Sequence, residues 1–253
     1  MLYPAAAFLI VVLAISPDVT HATPTSGPAF PKACGGYSVA VKPGGSPKGD
    51  GDVALRVGGR IVYRAEAFGI LDVACTTLTG HPIPELLITE WTGGGSCCET
   101  IEILQLHGGP HRVLAFWGRI AEIADYTRGG SRQIFALLGN LRYFGKLCGA
   151  CSPALPVVYA YDDGRYVDRS SRFPDPVLAY VKKEQQHLRE SLRSGGGALE
   201  DQKGTALGIL AAYIVLGRDA DGWKALSQAP PAIISWLREH QAELRKIIDQ
   251  VRR

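Results

Sequence analysis

Short apolar runs bounded by turn residues occupy the middle of the chain, and apolar residues recur at helical spacing towards its end. These runs, bounded by Gly, Pro and Asp, predict β-strands over residues 37–41, 53–57, 60–63, 85–90, 100–106, 112–116, 133–138 and 157–161. Gly58-Gly59 and Asp163-Gly164 supply the positive φ angles of two-residue hairpin turns. We therefore expect a β region over residues 53–172, preceded by a Gly- and Pro-rich segment over residues 23–52.

Helical spacing begins after Phe173. Asp175 is a suitable N-cap and Pro176 suits the first helical position, so the first helix is predicted to start there. A second helix is predicted over residues 199–216, ended by Gly217, with further helices around Trp223 and after Pro230. The predicted fold class is α+β, with β-propeller-like antiparallel sheet repeats followed by a small helical region over residues 173–253.

The propeller-like part of this prediction comes from an internal repeat. Residues 77–88 and 125–136 share a small polar loop that contains Gly, then one polar residue, then an apolar run. Thr77 and Asp125 are 48 residues apart, and so are Glu85 and Gln133. A period near 48 lies in the range of propeller-blade repeats, in which one unit cannot bury its apolar face alone.

The first repeat resembles the FG-GAP or VCBS-type loop, D-x-[DN]-G-D-G-x-x-[DE]-[LI], in which acidic oxygens can hold calcium. The positions that correspond to this loop are Thr77, Thr79, Gly80 and Glu85 in the first copy and Asp125, Gly129 and Gln133 in the second. With one or two carboxylates in each loop, we expect the turn to be kept and the calcium lost. No other metal or cofactor is expected.

The string from Glu90 to Cys98 carries a second resemblance. Together with Pro84 to Thr89 it is similar to uncharacterised secreted bacterial proteins that have "PELVVTEYSGGAHCC" after a degenerate FG-GAP loop. The similarity covers roughly residues 53–170 and rests on the GGxxCC motif, with Ser96 where that family has His. It implies a sheet-rich, propeller-like unit without a known activity.

The N-terminus predicts export. Residues 1–15 are apolar and uncharged, and Thr20-His21-Ala22 is a small-x-small cleavage site, so residues 1–22 are predicted to be a signal peptide. We expect a periplasmic or secreted protein that touches the membrane only through this peptide. The net charge is +3, or +4 without Asp18, which is too weak to indicate a nucleic-acid partner.

Six cysteines follow the signal peptide, and an even number in an exported chain predicts disulfides. They are Cys34, Cys75, Cys97, Cys98, Cys148 and Cys151, and they allow fifteen pairings. The adjacent cysteines can form a vicinal bridge or pair elsewhere. Cys148 and Cys151 have the Cys-x-x-Cys spacing, which has three interpretations. It can be the redox motif of a thiol–disulfide oxidoreductase, a structural disulfide that closes a short loop, or part of a zinc site completed by Cys97 or Cys98. Because Ser152-Pro153 and a strand follow, no helix is expected to stabilise a thiolate, which favours the structural bridge.

Three functional hypotheses remain open from the sequence. The first is a secreted binding module without catalysis, whose partner is a protein or a glycan. The second is a periplasmic thiol oxidoreductase that uses Cys148 and Cys151, and the third is an envelope scaffold that acts through the helical tail. His107 and His111 flank one turn without an identifiable third ligand, and no nucleophile elbow, phosphate loop or metalloprotease helix is present in the sequence.

Overall fold

The structure is a computed structural model and describes residues 30–44, 49–93, 99–195 and 198–252. The predicted signal peptide lies outside these residues, and so do Cys97 and Cys98. The described residues form an α+β fold with two antiparallel sheets and a C-terminal group of helices.

Each sheet is a meander in which strands that follow one another in sequence are paired. The four-stranded sheet contains β1 (Ala33–Cys34), β2 (Tyr37–Lys42), β3 (Gly51–Val57) and β4 (Arg60–Ala67). The seven-stranded sheet contains β5 (Gly69–Thr76), β6 (Glu85–Trp91), β7 (Glu99–Gln105), β8 (His111–Ala124), β9 (Gln133–Leu138), β10 (Leu155–Asp162) and β11 (Arg165–Asp168). Strands β1 and β2 therefore lie inside the segment 23–52 that the sequence marks as rich in turns.

Strand β8 divides the larger sheet into two runs of four strands. Residues 111–117 pair with β7, whereas residues 118–124 pair with β9. Gly118 stands at the change of partner with φ 136°, and a Cβ atom there would lie 2.3 Å from the carbonyl oxygen of Leu137. Only glycine can adopt this conformation so close to a neighbouring backbone.

The repeat seen in the sequence corresponds to a repeat in strand position. Strands β2, β6 and β9 begin at Tyr37, Glu85 and Gln133, at intervals of 48 residues. Each is the second strand of a run of four. The predicted strands that start at Glu85 and Gln133 are thus both present and occupy equivalent positions.

The sequence did not predict β1, β5 or the second half of β8. In β5 the register shifts between Ile70 and Asp72, and in the second half of β8 it shifts between Ile120 and Glu122. Asp72 and Glu122 divide the apolar residues of these two segments into runs of two or three, which weakens the strand signal. The hairpin turns at Gly58-Gly59 and Asp163-Gly164 are confirmed, with positive φ at all four residues.

The described helices are α1 (Pro174–Ser194), α2 (Leu199–Val215), α3 (Asp219–Ala225), α4 (Pro231–Glu239) and α5 (Gln241–Val251). The predicted start of the first helix is wrong by two residues. Phe173 is the N-cap and Asp175 lies inside the first turn, because Pro174 already fits a first-turn position that needs no N–H donor. Gly217, with φ 71°, ends the second helix as predicted.

A single last helix was expected after Pro230, but the chain forms two. They meet at His240, whose ring nitrogen Nδ1 lies 2.9 Å from the carbonyl oxygen of Trp236 and competes for a helical acceptor. Within the part of the chain that is described, no helix has the length and apolar character needed to cross a membrane.

Helix α2 is surrounded by other elements, and its apolar residues are accordingly spread around the helix instead of lying on one face. Its residues from Gly204 to Ala212 are buried, and it packs against α1, α3, α4, α5 and β10. One hydrophobic cluster joins these helices to β7–β11, and a second joins the smaller sheet to β5, β6 and β7. The helices therefore cover the last strands of the larger sheet, and a cleft forms where the two meet.

Candidate functional site

Glu85 is a fully buried carboxylate at the start of β6, and it orders the loop before it. One oxygen, Oε2, accepts hydrogen bonds from the backbone N–H of Leu78 at 2.7 Å and of Thr79 at 3.4 Å. The other, Oε1, accepts from the Thr79 hydroxyl. The charge is thus satisfied by loop donors, as burial requires.

Gln133 makes the same bond in the second repeat. Its Oε1 accepts from the N–H of Tyr126 at 2.7 Å, and Tyr126 stands 48 residues after Leu78. Its Nε2 donates to the carbonyl oxygen of Ser131 at 3.1 Å. The two predicted loops therefore share their hydrogen-bond pattern as well as their outline.

Asp125 orders the second loop, because both of its carboxylate oxygens accept hydrogen bonds from loop residues. Its Oδ1 accepts from the N–H and hydroxyl of Thr127 and from the N–H of Gly129, and its Oδ2 accepts from the N–H of Gly130 at 2.9 Å. These bonds, above all the one from Gly130, lower the pKa of Asp125. The oxygens that a calcium ion would need are already occupied by loop donors.

The two loops touch each other. The N–H of Arg132 donates to the carbonyl oxygen of Leu78 at 2.7 Å, and a Cβ atom on Gly80 would lie 3.3 Å from the backbone of Gly130. Thr77, where the resembled family has its first Asp, is exposed and offers a hydroxyl in place of a carboxylate. We conclude that the loops form a packed structural element.

A cleft lies between the bend of β8, strand β9, the loop 148–154 and helices α1 and α2. It consists of two adjoining cavities of about 280 and 740 Å³, which share Arg119, Leu137, Ala150, Ser152, Pro153 and Ala154. The smaller adds Trp117, Arg142 and Glu99, and the larger adds Tyr180, Lys183, Glu184, His187, Glu190 and Asp201. Burial raises the pKa of Glu184, opposed by the nearby His187 and Lys183.

Cys148 and Cys151 are joined by a disulfide in the loop that separates the two cavities. The loop is also held by hydrogen bonds: the N–H of Tyr143 donates to Ser152 Oγ, and that hydroxyl donates to the carbonyl oxygen of Cys148, both at 2.9 Å. The disulfide-closed loop predicted for these two cysteines is thus the arrangement in the structure. Among the described residues, a second disulfide joins Cys34 to Cys75.

A helix does approach the Cys-x-x-Cys loop, contrary to the sequence-based expectation. The N-terminal part of α2 packs directly on it, and a Cβ atom on Gly204 would lie 1.8 Å from the carbonyl oxygen of Cys151. Glu200, in the first turn of this helix, places its Oε2 3.7 Å from Cys151 Sγ. The sequence could not show this approach, because the helix starts 48 residues after Cys151.

His107 lies against His81, and His111 stays within its own turn. The rings of His81 and His107 lie 4.0 Å apart between centroids, whereas His111 Nδ1 lies 2.9 Å from the carbonyl oxygen of Gly109 in its own turn. His81 Nδ1 accepts from the N–H of Ile83. The described residues place no third metal-ligating side chain with these histidines.

A polar cluster around the buried Glu102, which sequence reasoning missed, joins the two sheets. The Tyr63 hydroxyl of β4 donates to Glu102 Oε2 of β7 at 2.5 Å, and Arg112 of β8 lies 3.5 Å from Glu102 Oε1. Burial, together with the charge of Glu102, raises the pKa of Glu90 on the neighbouring strand. The sequence does not reveal this cluster, because its members come from four strands.

The chain matches no known protein family, no curated protein and no solved structure.

Proposed function

We propose that the protein is an exported, non-catalytic binding module whose ligand occupies the cleft beside the loop 148–154. Two disulfides among the described residues agree with an oxidising compartment, which supports a periplasmic or secreted location. The cleft supports a binding role, because binding sites are concave and combine apolar walls with a few converging polar groups.

The observation that carries the non-catalytic part of the proposal is the contact of Glu200 with the disulfide. A thiol oxidoreductase needs a stabilised thiolate at its reactive cysteine. During redox cycling each sulfur must in turn carry a negative charge; the N–H of Cys151, 3.0 Å from Cys148 Sγ, favours that charge on Cys148, whereas a carboxylate oxygen 3.7 Å from Cys151 Sγ opposes it on Cys151. The bridge therefore fits a structural element of the cleft wall better than a redox centre that cycles.

The lining of the cleft favours a glycan as the ligand. Trp117 supplies an indole ring beside Arg119, Arg142 and Glu99, so an aromatic surface stands next to charged donors and acceptors. Sugar rings have apolar C–H faces that pack on aromatic rings and hydroxyl groups that bond to such side chains.

We also infer that the strands are three repeats of one propeller-like, four-stranded unit. The units are β1–β4, then β5–β7 with the first part of β8, then the second part of β8 with β9–β11. The starts of β2, β6 and β9 at equal intervals and the matching bonds of Glu85 and Gln133 support this inference. The cleft then belongs to the last unit, where the helices pack.

Affinity electrophoresis of the mature protein in gels that contain soluble polysaccharides tests the proposal. We expect retardation by at least one polysaccharide, and its loss in Trp117→Ala but not in the control Trp223→Ala, which changes a tryptophan of α3 outside the cleft lining. An insulin-reduction assay in parallel should show no turnover. Absence of retardation by any polysaccharide would contradict the glycan proposal, and turnover that requires Cys148 and Cys151 would favour the oxidoreductase.

A further inference from the structure

Among the described residues, one group of three metal-ligating side chains converges. The ligand atoms of Cys148, Cys151 and Glu200 all lie within 4.8 Å of one another. We propose that reduction of the Cys148–Cys151 disulfide converts this group into a binding site for a thiophilic divalent cation, with Zn²⁺ as the best fit. This site is separate from the glycan proposal, and it differs from a zinc site completed by Cys97 or Cys98.

The ligand set suits zinc in type and in number. Two cysteines separated by two residues can place both sulfur atoms on one ion, and Zn²⁺ accepts sulfur and carboxylate oxygen together. Glu200 supplies the oxygen from another part of the chain, 3.7 Å from Cys151 Sγ. Three protein ligands leave the fourth tetrahedral position for water.

The backbone is already arranged to support a metal-bound thiolate. The N–H of Cys151 points to Cys148 Sγ at a distance of 3.0 Å, and such N–H donors stabilise a sulfur that carries negative charge. The loop does not depend on the disulfide alone for its shape. Ser152 joins the backbone of Tyr143 to that of Cys148, and Gly204 allows α2 to lie against Cys151.

A Zn²⁺ ion bound at this site would also account for the position of the Glu200 carboxylate beside Cys151 Sγ. In the disulfide, Cys151 Sγ carries no proton, so it cannot donate a hydrogen bond to the carboxylate beside it. In the reduced protein the same carboxylate opposes a free thiolate, but both anions are favourable ligands for one Zn²⁺ ion. The geometry that disfavours thiol catalysis therefore favours metal binding.

The conversion is a two-electron reduction followed by proton exchange. A dithiol reductant breaks the S–S bond, supplies two electrons and two protons, and becomes a disulfide itself. The two Cys S–H groups then lose their protons as Zn²⁺ binds both sulfurs, while Glu200 binds as the carboxylate. The remaining charge of the site is −1, from three anionic ligands and one divalent ion.

The test uses the mature chain with Cys97→Ser and Cys98→Ser, so that those thiols take no metal. This background protein is reduced with a dithiol, freed of reductant without oxygen, and titrated with Zn²⁺ against a chromophoric chelator. We expect one more Zn²⁺ per chain than in the same protein with Cys148→Ser and Cys151→Ser. The pair Cys34 and Cys75 is present in both proteins, so its contribution cancels. Co²⁺ in place of Zn²⁺ should give additional thiolate-to-cobalt absorption in the protein that keeps Cys148 and Cys151.

The variant Glu200→Gln separates a true ligand from a charge effect. It should lower the Zn²⁺ affinity at least about tenfold, as loss of groups that support a metal typically does. The control Asp201→Asn removes a charge from the same helical turn and should leave the affinity unchanged. Circular dichroism checks that each variant is folded, and Glu200→Gln keeps every cysteine of the background. Equal zinc binding with and without Cys148 and Cys151, or an unchanged affinity in Glu200→Gln, would overturn the proposal.

Discussion

Replacing Glu85 by Ala should destabilise the protein more than any surface substitution. Glu85 is fully buried, and its carboxylate is the acceptor for the N–H groups of Leu78 and Thr79 and for the Thr79 hydroxyl. Alanine removes this acceptor and leaves a cavity beside the loop. The Leu78 N–H belongs to a fully buried residue, so water cannot easily replace the lost bond.

The magnitude follows from the two backbone donors. An unsatisfied buried donor costs about 1–3 kcal/mol, with Thr79 at the lower end because its bond is already long at 3.4 Å. A small cavity adds about 1 kcal/mol, which gives a total of about 3–5 kcal/mol. For a chain of this size the melting temperature should fall by roughly 6–20 °C.

Glu85→Gln tests whether the acceptor or the charge matters. Gln133 shows that a glutamine at this position can accept the same backbone bond, at the same distance of 2.7 Å. Because a charge-assisted bond is about twice as strong as a neutral one, we expect a loss of about 1 kcal/mol in this variant.

Urea unfolding followed by circular dichroism measures both variants. Glu66→Ala is the matched control, since Glu66 is exposed and its ion pair with Arg64 is long at 3.7 Å, so its effect should stay within about 0.5 kcal/mol. If Glu85→Ala were as mild as this control, or if Glu85→Gln were as damaging as Glu85→Ala, the hydrogen-bond argument would be refuted.

Three further predictions concern other contacts. Arg252→Ala should lower the free energy of unfolding by about 2–3 kcal/mol in urea titrations. The Arg252 guanidinium donates to the last carbonyl groups of α2 and lies 3.4 Å from the carboxylate of Asp168. Arg252→Lys should recover only part of the lost stability. Gly204→Ala should lower the melting temperature, because the new Cβ meets the Cys151 carbonyl oxygen at 1.8 Å and the backbone must move. An NMR titration should give Asp125 a pKa below its ordinary value of 3.8. Because the folded pKa is lowered, the ionised carboxylate stabilises the fold at pH values above 3.8, and this contribution is lost as the pH falls through the folded pKa.

The sequence predicted the parts of the fold that depend on neighbouring residues. Apolar runs, the turn residues of two hairpins and Gly217 located most strands and the end of α2. Strand β5 and the second half of β8 were missed because Asp72 and Glu122 divide their apolar residues into short runs. The cleft could not be predicted, because Trp117, Ala150 and Tyr180 meet only after the sheet and the helices have packed.

The repeat loops show why a sequence motif and a functional site can separate. In each loop a polar side chain at the start of a strand takes the backbone donors: Glu85 in the first and Gln133 in the second. Asp125 takes four further donors, so the second loop is ordered by hydrogen bonds within itself. Loops whose side-chain acceptors already take several loop donors and whose backbones pack on each other have little capacity left for a ligand. Ligands are better sought at the cleft, where Arg119, the disulfide loop and α2 meet around a concave surface.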